Sequence, residues 1–195
     1  MRFRRPPQRG ERRCELRKAG AQEFWAAAYK IPSRRDDDSY ALDVLAHVLG
    51  HGRTSRLYHA LVESGLAVSA GAESQATPAD PFLFFVDAEP ARGVARETLE
   101  AAVDQEIERL AHTPVGDAEI ARARKRARVE FVMRRDKVSA QAFLLGECEA
   151  TIGWRFVDSY LERLRAVGPA DVMRVAARYL VRDERTVAHF RPTGA

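Results

Sequence analysis

The chain has 195 residues, 46% of them hydrophobic, which supports one substantial core and argues against a fibrous, disordered or disulfide-rich protein. Its 32 basic and 28 acidic side chains leave a net charge of only +4, so the surface carries mixed charge. Two distant cysteines, Cys14 and Cys148, make neither a disulfide framework nor a thiolate metal site. The apolar runs are too short to cross a bilayer and the N-terminus lacks a signal-peptide core, so we expect a soluble domain without a membrane span.

Two basic clusters stand out against this balanced composition. Residues 1–13 carry six arginines around Pro6 and Pro7, a pattern that prevents helix and predicts an extended basic linker. The second cluster, RARKRAR at residues 122–128, lies on a segment of helical periodicity. Neither cluster alternates with the aromatic side chains that stack on bases, and a charge run is usually a solvated face, so we expect no nucleic-acid partner.

After the linker, CELRK (residues 14–18) and EFWAAAYKI (residues 23–31) predict two strands, the second closed by Pro32. The polar stretch RRDDDS predicts a turn, in which Asp38 or Ser39 is placed to cap a helix. Apolar residues then recur at helical spacing as far as Leu49. The acidic run in this turn could also bind a hard cation, although a solvated turn is the simpler interpretation.

The remaining segments alternate in the same way. SRLYHALVES (residues 55–64) predicts a helix that ends at Gly65, and LAVSAGAES (66–74) and FLFFVDAE (82–89) predict strands. Five helical segments follow, within residues 99–110, 117–131, 139–152, 156–167 and 169–180, and RTVAHF (185–190) predicts a last strand. This order predicts an α+β fold with a mostly antiparallel sheet and helices packed on one face.

The stretch HVLGH, from His47 to His51, has the spacing of a metal-binding helix. Histidines at positions i and i+4 lie one helical turn apart and can point at one ion. The order is that of the zinc-peptidase motif H-x-x-E-H, but Gly50 stands where the glutamate belongs. From the residues alone, two ordinary histidines beside an apolar face are the simpler interpretation, and a weak metal site is the alternative.

Three stretches together resemble one known family. YKIPSRRDDDSYALDVLAHVLGHGRTSRLYHALVESGLAVSAG (residues 29–71) resembles the C-terminal-half signature of the M16 (pitrilysin, mitochondrial-processing-peptidase-like) zinc metallopeptidases. TPVGDAEIARARKRARVEFV (113–132) is similar to the family's middle helix, and VGPADVMRVAARYLVRDERTVAHFRP (167–192) to its closing helix and strand. The resemblance implies the LuxS/MPP-like metallohydrolase fold and identifies residues 14–195 as the C-terminal domain type, which lacks the zinc.

The resemblance also gives HVLGH a meaning. In catalytic M16 domains the two motif histidines and a downstream glutamate hold Zn²⁺, and the motif glutamate deprotonates the bound water. In this chain His47, His51 and Glu130 fall at the ligand positions, while Gly50 replaces the base. The resemblance therefore implies no catalytic residue and no cofactor in this chain, a relic metal site at most, and zinc in a sister domain.

A second departure concerns the substrate carbonyl. Some family chains hold it with an arginine and a tyrosine, and Val62 and Val68 fall near those positions here. Neither aliphatic side chain can donate a hydrogen bond to an oxyanion. Arg56 and Tyr58 of SRLY lie on different sides of a helix, which favours packing over chemistry. We expect these four residues at an interface or at the wall of a substrate chamber.

The resemblance implies a function that needs a partner. The chain would pair with an M16 domain or subunit that bears H-x-x-E-H, in a homo- or hetero-oligomer, and help to enclose a peptide substrate, and it would be inactive alone. Two alternatives remain: a scaffold or assembly subunit without proteolysis, and a metal-dependent domain that uses His47, His51 and Glu130. The compartment is not specified; bacterial cytoplasm or periplasm would fit a piece of a longer precursor.

Overall fold

Five strands form one sheet in a computed structural model that describes residues 8–77 and 80–193. The strands are β1 (Arg12–Lys18), β2 (Phe24–Ile31), β3 (Ala67–Gln75), β4 (Phe82–Pro90) and β5 (Arg185–Pro192). Their order across the sheet is β1-β5-β2-β4-β3, and only the β1–β5 pair is parallel among these strands. The predicted mostly antiparallel sheet is confirmed.

Six α-helices complete the fold of the described residues. They are α1 (Asp38–Gly50), α2 (Arg96–His112), α3 (Asp117–Met133), α4 (Val138–Thr151), α5 (Arg155–Ala166) and α6 (Pro169–Tyr179). The SRLY segment forms a helical turn that widens into a π-helix at Tyr58–Glu63, and a short 3₁₀ turn at Arg182–Glu184 precedes β5. Every segment predicted to be helical is therefore helical, although the π geometry was not predicted.

Strand alternation shows which face of the sheet the helices cover. In β2 the side chains of Trp25, Ala27, Tyr29 and Ile31 are buried, while those between them are more exposed. The period of two along this strand places the buried residues on one face, where they join the core formed with the helices. Helices thus pack on a single face, as predicted for the α+β class, and the opposite face of the sheet is open.

The described part of the predicted linker makes hydrogen bonds to β5 and α2. Residues 1–7 of the predicted linker lie outside the described residues, but β1 starts at Arg12, two positions before the predicted domain start. The buried Gln8 amide donates to the Arg185 carbonyl oxygen at 2.6 Å, and Arg13 makes a bidentate pair with Glu100 at 3.0 and 2.9 Å. The described part of the arm is therefore bonded to β5 and α2.

Helix α1 is the central helix, because every one of its residues except His47 is buried. The predicted cap is wrong: Asp38 is already the first helical residue, and its N–H donates to Asp36 Oδ1 at 2.9 Å. The Asp38 carboxylate instead accepts hydrogen bonds from Arg174 at 2.6 Å and Tyr179 at 2.8 Å on α6. This acidic turn is therefore used to hold α1 against α6, which leaves the cation alternative without support.

Candidate metal centre and its cavity

A cavity of about 680 Å³ lies between α1, α3, α4, α5 and the end of β3. This volume is in the range of small-molecule sites in proteins. Its lining is polar where α1 meets α3 and more apolar toward α4 and α5. The lining residues include Arg34, Asp43, His47, His51, Glu73, Glu130, Phe131, Phe143, Leu144, Cys148, Ile152, Phe156 and Tyr160.

The three relic ligands predicted from the sequence meet at the polar end of this cavity. The rings of His47 on α1 and His51 just after it lie 4.2 Å apart between centroids and are tilted by 42°. Glu130 of α3 places Oε2 at 3.6 Å from His47 Nε2 and at 3.9 Å from His51 Nδ1. One ligand atom from each residue lies within 4.8 Å of the others, so the group could hold a metal ion.

Arg126 in α3 and Arg134 directly after it contact two of the three candidate ligands. Arg126 donates to the backbone carbonyl oxygen of His51, at the end of α1. Arg134 donates to Glu130 Oε1 at 2.5 Å, which leaves Oε2 directed at the histidines. Two members of the predicted basic cluster, Arg126 and Arg124, are thus committed to backbone carbonyls, Arg124 to that of Val167. These contacts are a structural use of the cluster.

The two histidines differ in environment. The His47 side chain is only 9% exposed, whereas that of His51 is 35% exposed. Burial, together with the neighbouring His51, lowers the pKa of His47 to about 4, although Glu130 opposes the shift. His47 is therefore neutral at pH 7, and neutral imidazole is the form that binds metal ions.

The missing base has a steric cause. A Cβ atom at Gly50 would lie 1.9 Å from Ala72 N and 2.5 Å from the Gly71 carbonyl carbon, because α1 packs directly on the backbone of β3. Side chains larger than hydrogen do not fit at this position without moving the helix. The arrangement can thus offer a cation two imidazoles and one carboxylate, but position 50 cannot supply a carboxylate to activate water.

Another buried group, missed by the sequence analysis, lies beside the centre. Asp43 of α1 accepts hydrogen bonds from Arg34 and, at 2.8 Å, from the Tyr160 hydroxyl. Burial and the Asp43 charge raise the pKa of Tyr160, so the phenol stays protonated and donates. These side chains come from a loop, α1 and α5, and no local sequence pattern connects segments so far apart. A partly buried ion pair and the Tyr160 hydroxyl therefore hold this part of the cavity wall.

The four residues predicted at an interface or chamber wall do not line this cavity. Arg56 makes a bidentate pair with Glu119 of α3, at 2.9 and 3.2 Å. The Tyr58 hydroxyl accepts from Arg53 Nε at 3.2 Å, on another side of the helical turn. Val62 is half-buried, and Val68 on the edge strand β3 is 58% exposed. The role of these residues stays a prediction.

Fold and site together define a class: an α+β domain with one five-stranded sheet, a histidine pair at the end of α1 that faces a glutamate, and a packed glycine between the histidines. The sequence profile described as "Peptidase M16 inactive domain" matches residues 2–127. The chain belongs to this family of inactive M16 peptidase domains. The family resemblance stated from the sequence is confirmed, and the family name indicates no catalytic zinc in this domain.

Individual relatives agree with this assignment. The chain is 26% identical over 190 residues to "Zinc protease PqqE" of Helicobacter pylori, covering 96% of this chain and 42% of that protein, so it spans less than half of this relative. An inactive peptidase domain from Bordetella parapertussis is 29% identical, with a TM-score of 0.79 and coverage of 91% of this chain and 95% of that one. This second relative has nearly the same extent as the chain.

A more distant similarity concerns the fold alone. A chain of "Complex III2 from Candida albicans" is 16% identical, with a TM-score of 0.79 and coverage of 93% of this chain and 45% of that one. Among residues 8–77 and 80–193, no helix combines the length and apolar character needed to span a membrane.

Proposed function

We propose that this chain is the non-catalytic half of an M16-type zinc endopeptidase. It pairs with a domain or subunit that bears H-x-x-E-H and forms part of the wall around a peptide substrate, while the partner supplies the catalytic zinc. The packing of Gly50 against β3 carries the proposal, because it removes the general base from an otherwise ligand-bearing helix. The pairing is supported by the relative named zinc protease, because this chain aligns with only 42% of that protein and the rest leaves room for a second domain.

Exposed apolar side chains support a partner. Met133 at the end of α3 is 64% exposed, and Val138 and Phe143 on the neighbouring α4 are 83% and 74% exposed. Large apolar side chains with this degree of exposure are candidates for an interaction site. A second apolar region lies on the outer part of the sheet, where Leu16 is 59% and Phe24 43% exposed. We infer that the isolated chain self-associates unless a sister domain covers these surfaces.

The test is reconstitution. The purified chain is incubated with Zn²⁺ and an unstructured fluorogenic peptide, alone and with an M16 domain that bears H-x-x-E-H and is encoded upstream in the same gene or in an adjacent one. We expect no cleavage by the chain alone, and chelator-sensitive cleavage by the pair. Changing the partner's motif glutamate to glutamine should abolish it, since losing a general base costs about 10²- to 10⁴-fold.

Two outcomes contradict the proposal. Cleavage by the chain alone that disappears in His51→Ala would show that it is a peptidase by itself. Stable association with the partner but no cleavage by the pair, when the partner is competent with another M16 half, would favour the scaffold role. Light scattering that shows a clean monomer at high concentration would argue against the inferred interface.

A further inference from the structure

The His47 side chain is only 9% exposed, yet it makes no hydrogen bond within the part of the chain that the structure describes. Its Nδ1 is fully enclosed and meets no partner among the described residues. Its Nε2 faces Glu130 Oε2 at 3.6 Å, which is too long for a hydrogen bond. A buried polar atom normally has a partner, and each exception requires an explanation. An ion between Nε2 and Glu130 Oε2 would give Nε2 a partner, while Nδ1 would keep none among the described residues.

The separations of the ligand atoms agree with this position. Zn²⁺ lies about 2.0–2.2 Å from nitrogen and oxygen ligands, so two ligands in a tetrahedral site are roughly 3.4 Å apart. The observed separations from Glu130 Oε2 are 3.6 Å to His47 Nε2 and 3.9 Å to His51 Nδ1. A shift of a few tenths of an ångström, within reach of a Glu130 side chain that is 36% exposed, closes the site.

The surroundings orient the ligands before an ion binds. Arg134 donates to Glu130 Oε1 at 2.5 Å and Arg126 donates to the His51 carbonyl oxygen, and the two contacts favour the orientation in which Oε2 faces the histidines. Hydrogen bonds from surrounding groups orient metal ligands, and the loss of one typically weakens metal binding about 10- to 100-fold. His47 is fixed by its helix, whose other residues are all buried.

We propose that His47 Nε2, His51 Nδ1 and Glu130 Oε2 form a binding site for one divalent transition-metal ion, of which Zn²⁺ is the representative. Two imidazoles and a carboxylate suit zinc, and zinc binds such ligands more tightly than manganese or iron(II). The ion joins α1 to α3 and leaves its remaining position toward the cavity. Its role is structural, because Gly50 leaves no base beside it. The proposed function requires no metal in this chain, so the two proposals are independent.

The test uses the chelator-treated chain alone. Zn²⁺ is titrated by calorimetry, and Co²⁺ by the visible absorption of its four-coordinate complex. We expect one equivalent per chain and a melting temperature that rises with free Zn²⁺, since an ion that binds only the folded state stabilises it. His51→Ala and Glu130→Gln should each weaken Zn²⁺ binding by at least about 100-fold. This loss exceeds the one expected when only a hydrogen bond to a metal ligand is removed.

The matched control is His59→Ala. His59 Nδ1 lies 2.7 Å from Glu63 Oε2, so it is also a histidine beside a glutamate, but the pair is exposed and belongs to no described three-ligand group. This variant should bind Zn²⁺ as the parent does.

Absence of stoichiometric binding, or binding unchanged in both His51→Ala and Glu130→Gln, overturns the proposal. Melting curves of the metal-free variants establish that they are folded, and neither peptide nor partner is involved, so the result is separate from reconstitution.

Discussion

The two sides of helix α1 differ in how closely other parts of the chain pack against them. Toward the sheet, Gly50 lies directly on the backbone of β3, and even a methyl group there would meet Ala72 N at 1.9 Å. Toward the cavity, His47 and His51 face Glu130 across open space. On the packed side, position 50 thus cannot carry the glutamate of H-x-x-E-H, while two imidazoles and a carboxylate remain on the other side. Five changes test this contrast, from the largest expected effects to the smallest.

Position 50, on the packed side of α1, should not tolerate the addition of a methyl group. Gly50→Ala should lower the free energy of unfolding by more than about 3 kcal/mol, because overpacking against backbone cannot be relieved by a side-chain rotation. Urea denaturation measures the change. Gly146→Ala is the control: Gly146 lies inside α4 with no atom within 4 Å of its new Cβ, and this variant should gain up to about 1 kcal/mol. Equal effects of the two changes would refute the contrast.

The same steric argument applies to restoring the motif. Gly50→Glu recreates H-x-x-E-H in the sequence, but its carboxylate would have to enter the α1–β3 contact. We expect a destabilised or unfolded chain without peptidase activity, checked by circular dichroism and peptide cleavage. A folded, active variant would show that the helix can move off the strand.

The cavity side should respond to pH. The pKa of His47 is about 4 in the folded chain and about 6.5 unfolded, so the unfolded state binds more protons between these values. Stability is therefore complete above pH 6.5 and lost as pH falls to 4, by at most about 3 kcal/mol. Unfolding of the metal-free chain at several pH values measures this slope. His47→Gln should flatten it, and an unchanged slope would assign it to other groups.

The buried pair beside the centre should show an intermediate effect. Tyr160→Phe removes a hydrogen bond to the buried Asp43 carboxylate and should cost about 2 kcal/mol, within the range for bonds to charged groups. Tyr58→Phe is the matched control, because its hydroxyl accepts a bond from Arg53 at the surface, and it should cost less than about 0.5 kcal/mol. Similar losses in both variants would contradict a special role for the buried network.

The smallest effect is expected at the carboxylate ligand. In the metal-free chain Glu130→Gln removes a pair with Arg134, whose side chain is 71% exposed, and surface pairs contribute about 0.3–0.5 kcal/mol. Its free energy of unfolding should therefore be nearly unchanged. A loss above about 1 kcal/mol would mean that Glu130 carries part of the fold without any ion.

Much of the fold could be predicted because its elements have local signals. The alternation in EFWAAAYKI and the helical spacing in residues 40–49 predict β2 and α1 close to their observed bounds, Phe24–Ile31 and Asp38–Gly50. The cap of α1 was predicted incorrectly, since the Asp38 carboxylate is taken by Arg174 and Tyr179. Those partners are more than 130 positions away and leave no trace in the local pattern.

The amino-acid sequence by itself determined the class of the fold, the family, and the candidates His47, His51 and Glu130. Periodicity and the spacing of His47 and His51 are local properties that need no knowledge of which segments meet, while Glu130 was a candidate only through the family resemblance. Only the tertiary structure decided that these three side chains converge, and that Gly50 is a packing residue against β3. The physical reason is that the distance between α1 and β3, and the approach of α3 to α1, depend on how the whole core packs. A glycine in a motif can mark the loss of a side chain or a close contact that only glycine allows. Here a Cβ at position 50 would lie 1.9 Å from Ala72 N, so the close contact requires glycine.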